Sequence, residues 1–150
     1  MKVAIGTDHN GYLIKQHIIK FLESKNIEVI SYGNSNNPID DYPEYAFLVS
    51  ENIKNKEADL GILICGTGIG MSIAANKVKG IRCALVSNVN EAALSKEHND
   101  ANILALSSKN NINEVLRIVE VFINTKFGDE DRHRRRISLI SKYENGEYNV

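Results

Sequence analysis

The sequence has few cysteines, no long apolar run and almost no excess charge. Only two cysteines occur in 150 residues, too few for a disulfide scaffold, so both are expected to be free thiols in a reducing compartment. No apolar run approaches the roughly 20 residues that a membrane-spanning helix needs. The amino terminus is too short in its apolar part for a secretory signal. We therefore expect a cytoplasmic protein that does not associate with membranes.

The charge balance argues against a second class of partner. The formal net charge is −1 at pH 7, and the longest basic cluster is the run from Arg132 to Arg136. This gives no broad electrostatic reason to bind nucleic acid, so the expected partner is a small molecule or another protein. With 43% hydrophobic and 25% charged residues, residues 1–150 are expected to form a single domain with its own core.

Short β-branched runs alternate with longer segments of helical period, a pattern typical of an α/β fold with a parallel sheet covered by helices on both faces. Five strands are predicted, at residues 3–6, 27–32, 60–64, 80–86 and 103–106. The polar tract 33–38 is expected to break regular structure, and the segment from about 129 to 143 is predicted to be an appended helix. The sequence therefore predicts one doubly wound domain with strand order 2-1-3-4-5.

The predicted topology locates a site. In an open parallel sheet, ligands bind beyond the carboxyl ends of the strands, where the strand order reverses. Here the reversal lies between the first and third strands, so the loop at 7–11 is expected to face the loop at 65–70. The first loop carries Asp8 and His9, and the second carries Cys65. An acid, an imidazole and a thiol in one place predict a functional site.

The second of these loops, Cys65–Gly70, is rich in glycine. Its spacing departs from the dinucleotide fingerprint, and it lacks the P-loop lysine, which disfavours a nucleotide. The glycines either permit a tight strand-to-helix turn or let backbone N–H groups approach a negative oxygen. Cys65 favours the second interpretation, because a helix amino terminus favours the thiolate form of a thiol placed there, so it can serve as a base or nucleophile. Cys83 lies within an apolar run and is expected to be a core residue.

Five short motifs, spread over nearly the whole chain, form a specific set. They are Asp8-His9, Tyr42-Pro43, the loop Cys65–Gly70 with its tail Ala74-Ala75-Asn76-Lys77, His98-Asn99-Asp100, and Arg132-His133 with Arg136. Together they resemble the type B ribose-5-phosphate isomerases, a family that includes the galactose-6-phosphate isomerase subunits. The resemblance implies a Rossmann-like sheet, a sugar-phosphate substrate and neither metal nor nucleotide cofactor. It also implies a homodimer, or a dimer of dimers, with sites built from both subunits.

The resemblance implies roles for three catalytic residues. His98 matches the residue that assists opening of the sugar ring, a step suited to a group that titrates near neutral pH. Cys65 matches the base that removes the C2 proton, and Thr67 is expected to help move a hydroxyl proton. The enediolate oxygens would be stabilised by the backbone N–H groups of the loop, which belong to Gly66, Thr67, Gly68, Ile69 and Gly70.

Further matches concern substrate binding. They are Asp8, His9, Asn99, Lys109, Arg132 and Arg136, with Tyr42 as a pocket-lining residue or loop anchor. Arg132 and Arg136, at i and i+4 on one helical face, would hold the phosphate together. Because many family members have arginine where this chain has Lys109, we expect slightly weaker phosphate binding. The paired arginines follow the last strand, so they are expected to reach the site from a partner chain.

Several alternatives stay open. One branch of the family uses a glutamate just after the last loop glycine, but this chain has Met71 there, so Cys65 is the expected base. His133 is expected to be structural or on the surface. Hexose-6-phosphate isomerisation, of allose 6-phosphate or galactose 6-phosphate, is the nearest alternative activity. The resemblance implies that the galactose-6-phosphate subunits split the functional motifs between two chains, whereas this chain has both sets. A non-catalytic sugar-phosphate-binding module would not need Cys65 and His98 together.

Overall fold

A five-stranded parallel sheet forms the centre of the computed structural model, which describes residues 1–33 and 39–150. The strands are β1 (Lys2–Thr7), β2 (Glu28–Tyr32), β3 (Leu60–Cys65), β4 (Cys83–Leu85) and β5 (Ile103–Ser107). The helices are α1 (Tyr12–Ser24), α2 (Tyr42–Lys54), α3 (Ile69–Ala75), α4 (Val89–Asn99), α5 (Ile112–Asn124) and α6 (Asp131–Glu144), and a 3₁₀ turn covers His9–Gly11. Most of the predicted polar break, residues 34–38, lies outside the described residues.

The predicted fold class is confirmed, but the predicted strand order is wrong at one edge of the sheet. The observed order is β2-β1-β3-β5-β4, so β5 and not β4 lies beside β3. The physical reason is burial: Ile103, Leu104, Ala105 and Leu106 of β5 are fully buried, as an interior strand requires. By contrast, β4 has only three residues, and Leu85 at its end is 43% exposed, which suits an edge. The reversal between β1 and β3 is unaffected.

The helices cover both faces of the sheet, and the alternation of side chains along the strands supplies both cores. On one face Val3 and Ile5 of β1 join a cluster that includes residues of α1, α4 and α5. On the other face Ala4 of β1 packs with residues of α2 and α3. Cys65 belongs to this second cluster, so the last side chain of β3 faces α2 and α3.

The last helix, α6, follows the final strand as an appended element, as predicted. It packs against α4, and His133 is its buried residue. Within residues 1–33 and 39–150, no helix combines the length and the apolar character needed to cross a lipid bilayer.

The free edge of β4 is closed by a side chain. The amide nitrogen of Asn76 donates to the carbonyl oxygen of Cys83 at 2.9 Å, and the backbone N–H of Cys83 donates to Oδ1 of Asn76 at 2.8 Å. The Asn76 amide thus pairs with β4 as a neighbouring strand would, and it ties the end of α3 to the sheet edge.

Replacing Asn76 with alanine is expected to lower the free energy of unfolding by about 1–2 kcal/mol, because two hydrogen bonds to Cys83 are lost. Urea denaturation would measure the change. The adjacent exposed Lys77→Ala is the matched control and is expected to leave stability unchanged. If Asn76→Ala is no less stable than the control, the amide does not hold the edge of β4.

Candidate active site

The two loops predicted to converge do face each other. In the parallel pairing of β1 with β3, Thr7 is opposite Ile64, so the next residues of each chain segment leave the sheet side by side. A Cβ atom built at Gly66 would lie 3.8 Å from Nδ2 of Asn10. The loop at 7–11 and the loop Cys65–Gly70 therefore border one space at the carboxyl edge of the sheet.

The thiol of Cys65 is held at this edge by a backbone donor. Cys65 is 6% exposed, and its Sγ accepts a hydrogen bond from the N–H of Gly68 at 3.1 Å. A donor of this kind stabilises negative charge on sulfur. Thr67 is exposed, and its hydroxyl oxygen accepts the N–H of Ile69 at 3.3 Å. The loop thus combines a buried thiol with an outward-facing hydroxyl.

Two loop glycines are required by close packing. Gly68 has φ +77°, and a methyl group there would lie 2.7 Å from Leu85 Cδ1 and 2.9 Å from the carbonyl carbon of Leu106. A methyl group at Gly70 would lie 2.5 Å from Cζ of Tyr42. The ring of Tyr42 therefore packs directly on the loop, and only glycine at both positions lets the loop come this close to its neighbours.

A serine that sequence reasoning missed ties this loop to the end of β5. The hydroxyl of Ser107 donates to the carbonyl oxygen of Gly66 at 2.8 Å, and its oxygen accepts the N–H of Lys109 at 3.1 Å. The N–H of Ser108 also donates to the carbonyl oxygen of Cys65 at 2.9 Å. Exposed Lys109 is thereby brought to the same edge as Cys65. Ser107 reaches this loop only because β5 lies beside β3 in the observed strand order, so the sequence pattern did not indicate it.

The first loop is ordered by carboxylates. Asp8 is 6% exposed, and its two oxygens accept hydrogen bonds from the backbone and side-chain nitrogens of Asn10 at 3.0 and 3.2 Å. Nδ1 of His9 lies 2.7 Å from Oδ1 of Asp40, a residue that the sequence analysis did not single out and whose side chain is 7% exposed. This pair leaves Nε2 of His9 as the ring nitrogen for a ligand. The sequence could have indicated Asp40, because it is an acid two residues before the Tyr42-Pro43 motif.

A second group of predicted residues surrounds the end of α4. The ring of His98 stacks on the ring of His133, with centroids 4.4 Å apart and planes 15° from parallel. Burial lowers the pKa of His133, and the nearby His98 and Arg132 lower it further, so at neutral pH His133 is an uncharged platform for His98. His133 was expected to be either structural or on the surface. It is 4% exposed, so it is a structural residue and not a surface one.

The paired arginines lie on the first turns of α6, close to this stack. Nε of Arg132 is 2.8 Å from Oε2 of Glu130, and both side chains are about half exposed. Arg136 is exposed and has no hydrogen-bond or ion-pair partner in the described part of the chain. Two guanidinium groups that are open to solvent on one helical face can bind an anion together.

The two groups of predicted residues lie at opposite ends of the sheet. Cys65 is opposite Ser107, at the carboxyl end of β5. The end of α4 is bonded to the amino ends of the strands, since the carbonyl oxygen of Asn99 accepts a hydrogen bond from Nε of Arg82, just before β4. Five residues of β5 separate these edges by about 13 Å. The first group contains Asp8, His9, Tyr42, Cys65–Gly70 and Lys109, and the second contains His98, Asn99, Arg132 and Arg136.

A cleft of about 340 Å³ opens beside the glycine loop on the side of β4. Thr67, Ile69, Ser107 and Asn110 contribute to its walls, and the amide nitrogen of Asn110 is buried without a partner among the described residues. No group of three or more histidine, cysteine, aspartate or glutamate side chains within residues 1–33 and 39–150 is arranged to hold a metal ion. Thr67 therefore lines this cleft, and buried Cys65 does not.

Comparison with known proteins gives consistent results. The family described as Ribose/Galactose Isomerase matches residues 3–140. Ribose-5-phosphate isomerase B of Escherichia coli is 40% identical over 144 residues, which cover 95% of this chain and 96% of that protein. The structure of ribose-5-phosphate isomerase B of Clostridium thermocellum has a TM-score of 0.93, with 44% identity, 99% of this chain covered and 100% of that one. The Mycoplasma genitalium enzyme with bound ribulose-5-phosphate has a TM-score of 0.91, with 44% identity and 96% of each chain covered.

The packing around the glycine loop predicts different tolerances at two neighbouring glycines. Gly68→Ala is expected to destabilise the fold by about 1–3 kcal/mol, because it combines a left-handed conformation with steric overlap. It should also change the rate at which Cys65 is alkylated, since the N–H of residue 68 contacts its sulfur. Gly66→Ala, which meets nothing closer than 3.8 Å, is the control for stability. Urea denaturation and peptide mass spectrometry would measure both effects, and equal behaviour of the two variants would contradict the prediction.

Proposed function

The chain belongs to the ribose/galactose isomerase family, and from this premise we propose that it interconverts ribose 5-phosphate and ribulose 5-phosphate through an enediolate. The observation that carries the proposal is the thiol of Cys65, which lies at the end of β3 within a glycine loop and accepts the N–H of Gly68. A base in this position faces the loop of Asp8 and His9 across the same space.

Cys65 acts as the base in the proposed reaction. Its thiolate removes the proton from C2 of the open-chain aldose, and the electron pair of that C–H bond forms the C1–C2 double bond of the enediolate. The same proton is then delivered to C1, which yields the ketose. Backbone N–H groups of the loop stabilise the charge that develops on the substrate oxygens. The exposed hydroxyl of Thr67 moves the remaining proton between the oxygens on C1 and C2.

His98 assists ring opening, and it does so from a partner subunit. Within one chain the sheet keeps His98 about 13 Å or more from the thiol edge, a separation that no side-chain rotation closes. Opening a furanose requires a proton on the ring oxygen, and an imidazole at the substrate supplies it. A homodimer in which each subunit offers its α4–α6 end to the other's glycine loop brings the two groups together.

Exposed apolar side chains around both groups support such an assembly. Ile69 beside the loop, Ile73 of α3 and Leu85 of β4 are 52%, 57% and 43% exposed, and Ile140 of α6 is 53% exposed. A second copy of the chain that covers these side chains would remove apolar area from water. The proposal extends to a homodimer or a dimer of such dimers.

The phosphate is held by nitrogen donors from both subunits. Arg132 and Arg136 of one subunit meet His9 and Lys109 of the other in the proposed dimer. Glu130 pairs with Arg132 in the free chain, and both side chains are about half exposed. Because such an exposed ion pair is weak, a phosphate oxygen can replace the Glu130 carboxylate as the partner of Arg132. Asp8 and Asn99 contact the sugar hydroxyls.

Purified protein alone is expected to act on ribose 5-phosphate with a higher kcat/KM than on allose 6-phosphate or galactose 6-phosphate, because one chain carries both groups of residues. A side-by-side assay of the three sugars measures this. Cys83→Ala is the thiol control and should keep activity, since burial raises the pKa of Cys83 to about 12 and keeps it uncharged. A preference for a hexose phosphate would redirect the proposal, and inactivity on all three would overturn it.

A subunit-mixing experiment tests the shared site. Cys65→Ala and His98→Asn proteins are each expected to lose about 10²–10⁴-fold in turnover of ribose 5-phosphate. A mixture that is co-refolded should regain about one quarter of wild-type activity, because half of the dimers are mixed and each has one intact site. The control mixes Cys65→Ala with the double variant Cys65→Ala/His98→Asn and should stay inactive. No recovery in the first mixture would show that each site belongs to a single chain.

A further inference from the structure

The end of α4 has a backbone conformation that needs support. Asp100, directly after His98 and Asn99, has φ +44° and lies in the left-handed region. Its N–H donates to the carbonyl oxygen of Lys96 at 3.0 Å, and the N–H of Ala101 donates to that of Ser95 at 2.9 Å. An aspartate adopts this conformation at a lower cost than most residues, but less freely than glycine. Contacts elsewhere must offset this cost for the turn to persist.

Arg82 supplies these contacts with a forked guanidinium. Its Nε donates to the carbonyl oxygens of Asn99 and Asp100 at 3.0 and 3.1 Å. Its Nη2 donates to the carbonyl oxygen and to Oδ2 of Asp100 at 2.8 and 3.2 Å. These carbonyl groups lie at the carboxyl terminus of α4, where a positive charge complements the helix dipole.

The backbone of Arg82 is hydrogen-bonded to the edge of the sheet. The backbone N–H of Arg82 donates to Oδ1 of Asn102 at 2.8 Å, and its carbonyl oxygen accepts the N–H of Asn102 at 3.0 Å. Its side chain is 24% exposed. The guanidinium therefore projects from a fixed backbone position just before β4, and it transmits the rigidity of the sheet to the last turn of α4.

A second cation completes the network from the other side. Lys96 is 9% exposed, and its Nζ donates to Oδ1 of Asp100 at 3.2 Å and to the carbonyl oxygen of Ala101 at 3.0 Å. It also lies 5.6 Å from the ring centre of Phe122. Each carboxylate oxygen of Asp100 thus has its own cationic partner, so rotation of the carboxylate breaks at least one charge-assisted hydrogen bond.

We propose that Arg82 and Asp100 are positioning residues that hold the end of α4, so that His98 and Asn99 are presented to the partner's glycine loop in one fixed orientation. The His98–His133 stack holds the imidazole ring, and the Arg82–Asp100 network holds the backbone that carries it. Neither positioning residue touches the substrate. The inference rests on the proposed function where it assigns His98 to ring opening and places His98 and Asn99 at the partner's glycine loop.

The direction of the reaction distinguishes positioning from a general loss of stability. Ribulose 5-phosphate has no ring form, because its C5 oxygen carries the phosphate, so its conversion needs no ring opening. Arg82→Met is expected to reduce the turnover number with ribose 5-phosphate about 10–100-fold, since a misplacement of about 1 Å has effects of that size. With ribulose 5-phosphate the reduction should stay below about threefold. Arg82→Lys, which keeps the charge but not the fork, should give an intermediate value.

Two controls accompany this measurement. Arg117→Met removes an exposed arginine of α5 and should match the wild type with both substrates. Asp100→Gly adopts the left-handed conformation freely but has no carboxylate, so it is expected to behave like Arg82→Met. Full activity of Asp100→Gly, or equal losses of Arg82→Met in both directions, would overturn the inference.

A readout without substrate keeps the inference separate from the proposed function. Hydrogen exchange of the Asp100 and Ala101 amides reports directly on the last turn of α4. Arg82→Met should accelerate this exchange at least about tenfold relative to Arg117→Met, while the amides of β3 keep their wild-type rates. Unchanged exchange at residues 100 and 101 would overturn the inference even in an active enzyme. If the wild-type protein converts neither pentose phosphate, the proposed function fails, and the catalytic role given to this network fails with it.

Discussion

The parallel pairing of β1 with β3 is the interaction on which the rest of the structure depends. It places Thr7 opposite Ile64, so Asp8 and Cys65 leave the sheet at the same level. The contact is close, because a side chain at Gly11 would overlap Ile64. Since all five strands are parallel, every loop at this edge follows a carboxyl end. The thiol, the carboxylates and the glycine loop meet here for that reason alone.

The same sheet imposes a restriction on the chemistry. A parallel strand has its two ends at opposite edges, so residues that follow β3 and residues that precede β5 cannot meet within one chain. His98 and Asn99 precede β5, and α6 joins them through the stack of His98 on His133. In the proposed dimer each subunit gives one group and receives the other, which couples catalytic competence to assembly.

Both edges are stiffened by buried polar contacts, although their chemistry differs. At the carboxyl edge, Ser107 and the N–H of Ser108 bind carbonyl oxygens of the glycine loop. Nearby, fully buried Lys15 donates to the carbonyl oxygens of Tyr32 and Gly33 at 2.9 and 2.6 Å, and burial lowers its pKa. At the amino edge, Arg82 and Lys96 share Asp100. Such contacts limit the orientations of the neighbouring functional groups.

Local pattern was sufficient to place the strands, the helices and the glycine loop along the chain, because periodicity and turn chemistry depend on neighbouring residues. It predicted a strand over 80–86, however, where β4 covers only Cys83–Leu85. The interior place of β5, the Asp40–His9 pair, the His98–His133 stack and the Arg82–Asp100 network were beyond its reach. Each joins residues that are distant in sequence or lie on different elements, and no spacing rule relates them. Residue chemistry thus predicted which groups could react. The three-dimensional fold settled which of them share an edge, because a parallel sheet sorts residues by the end of the strand that they flank.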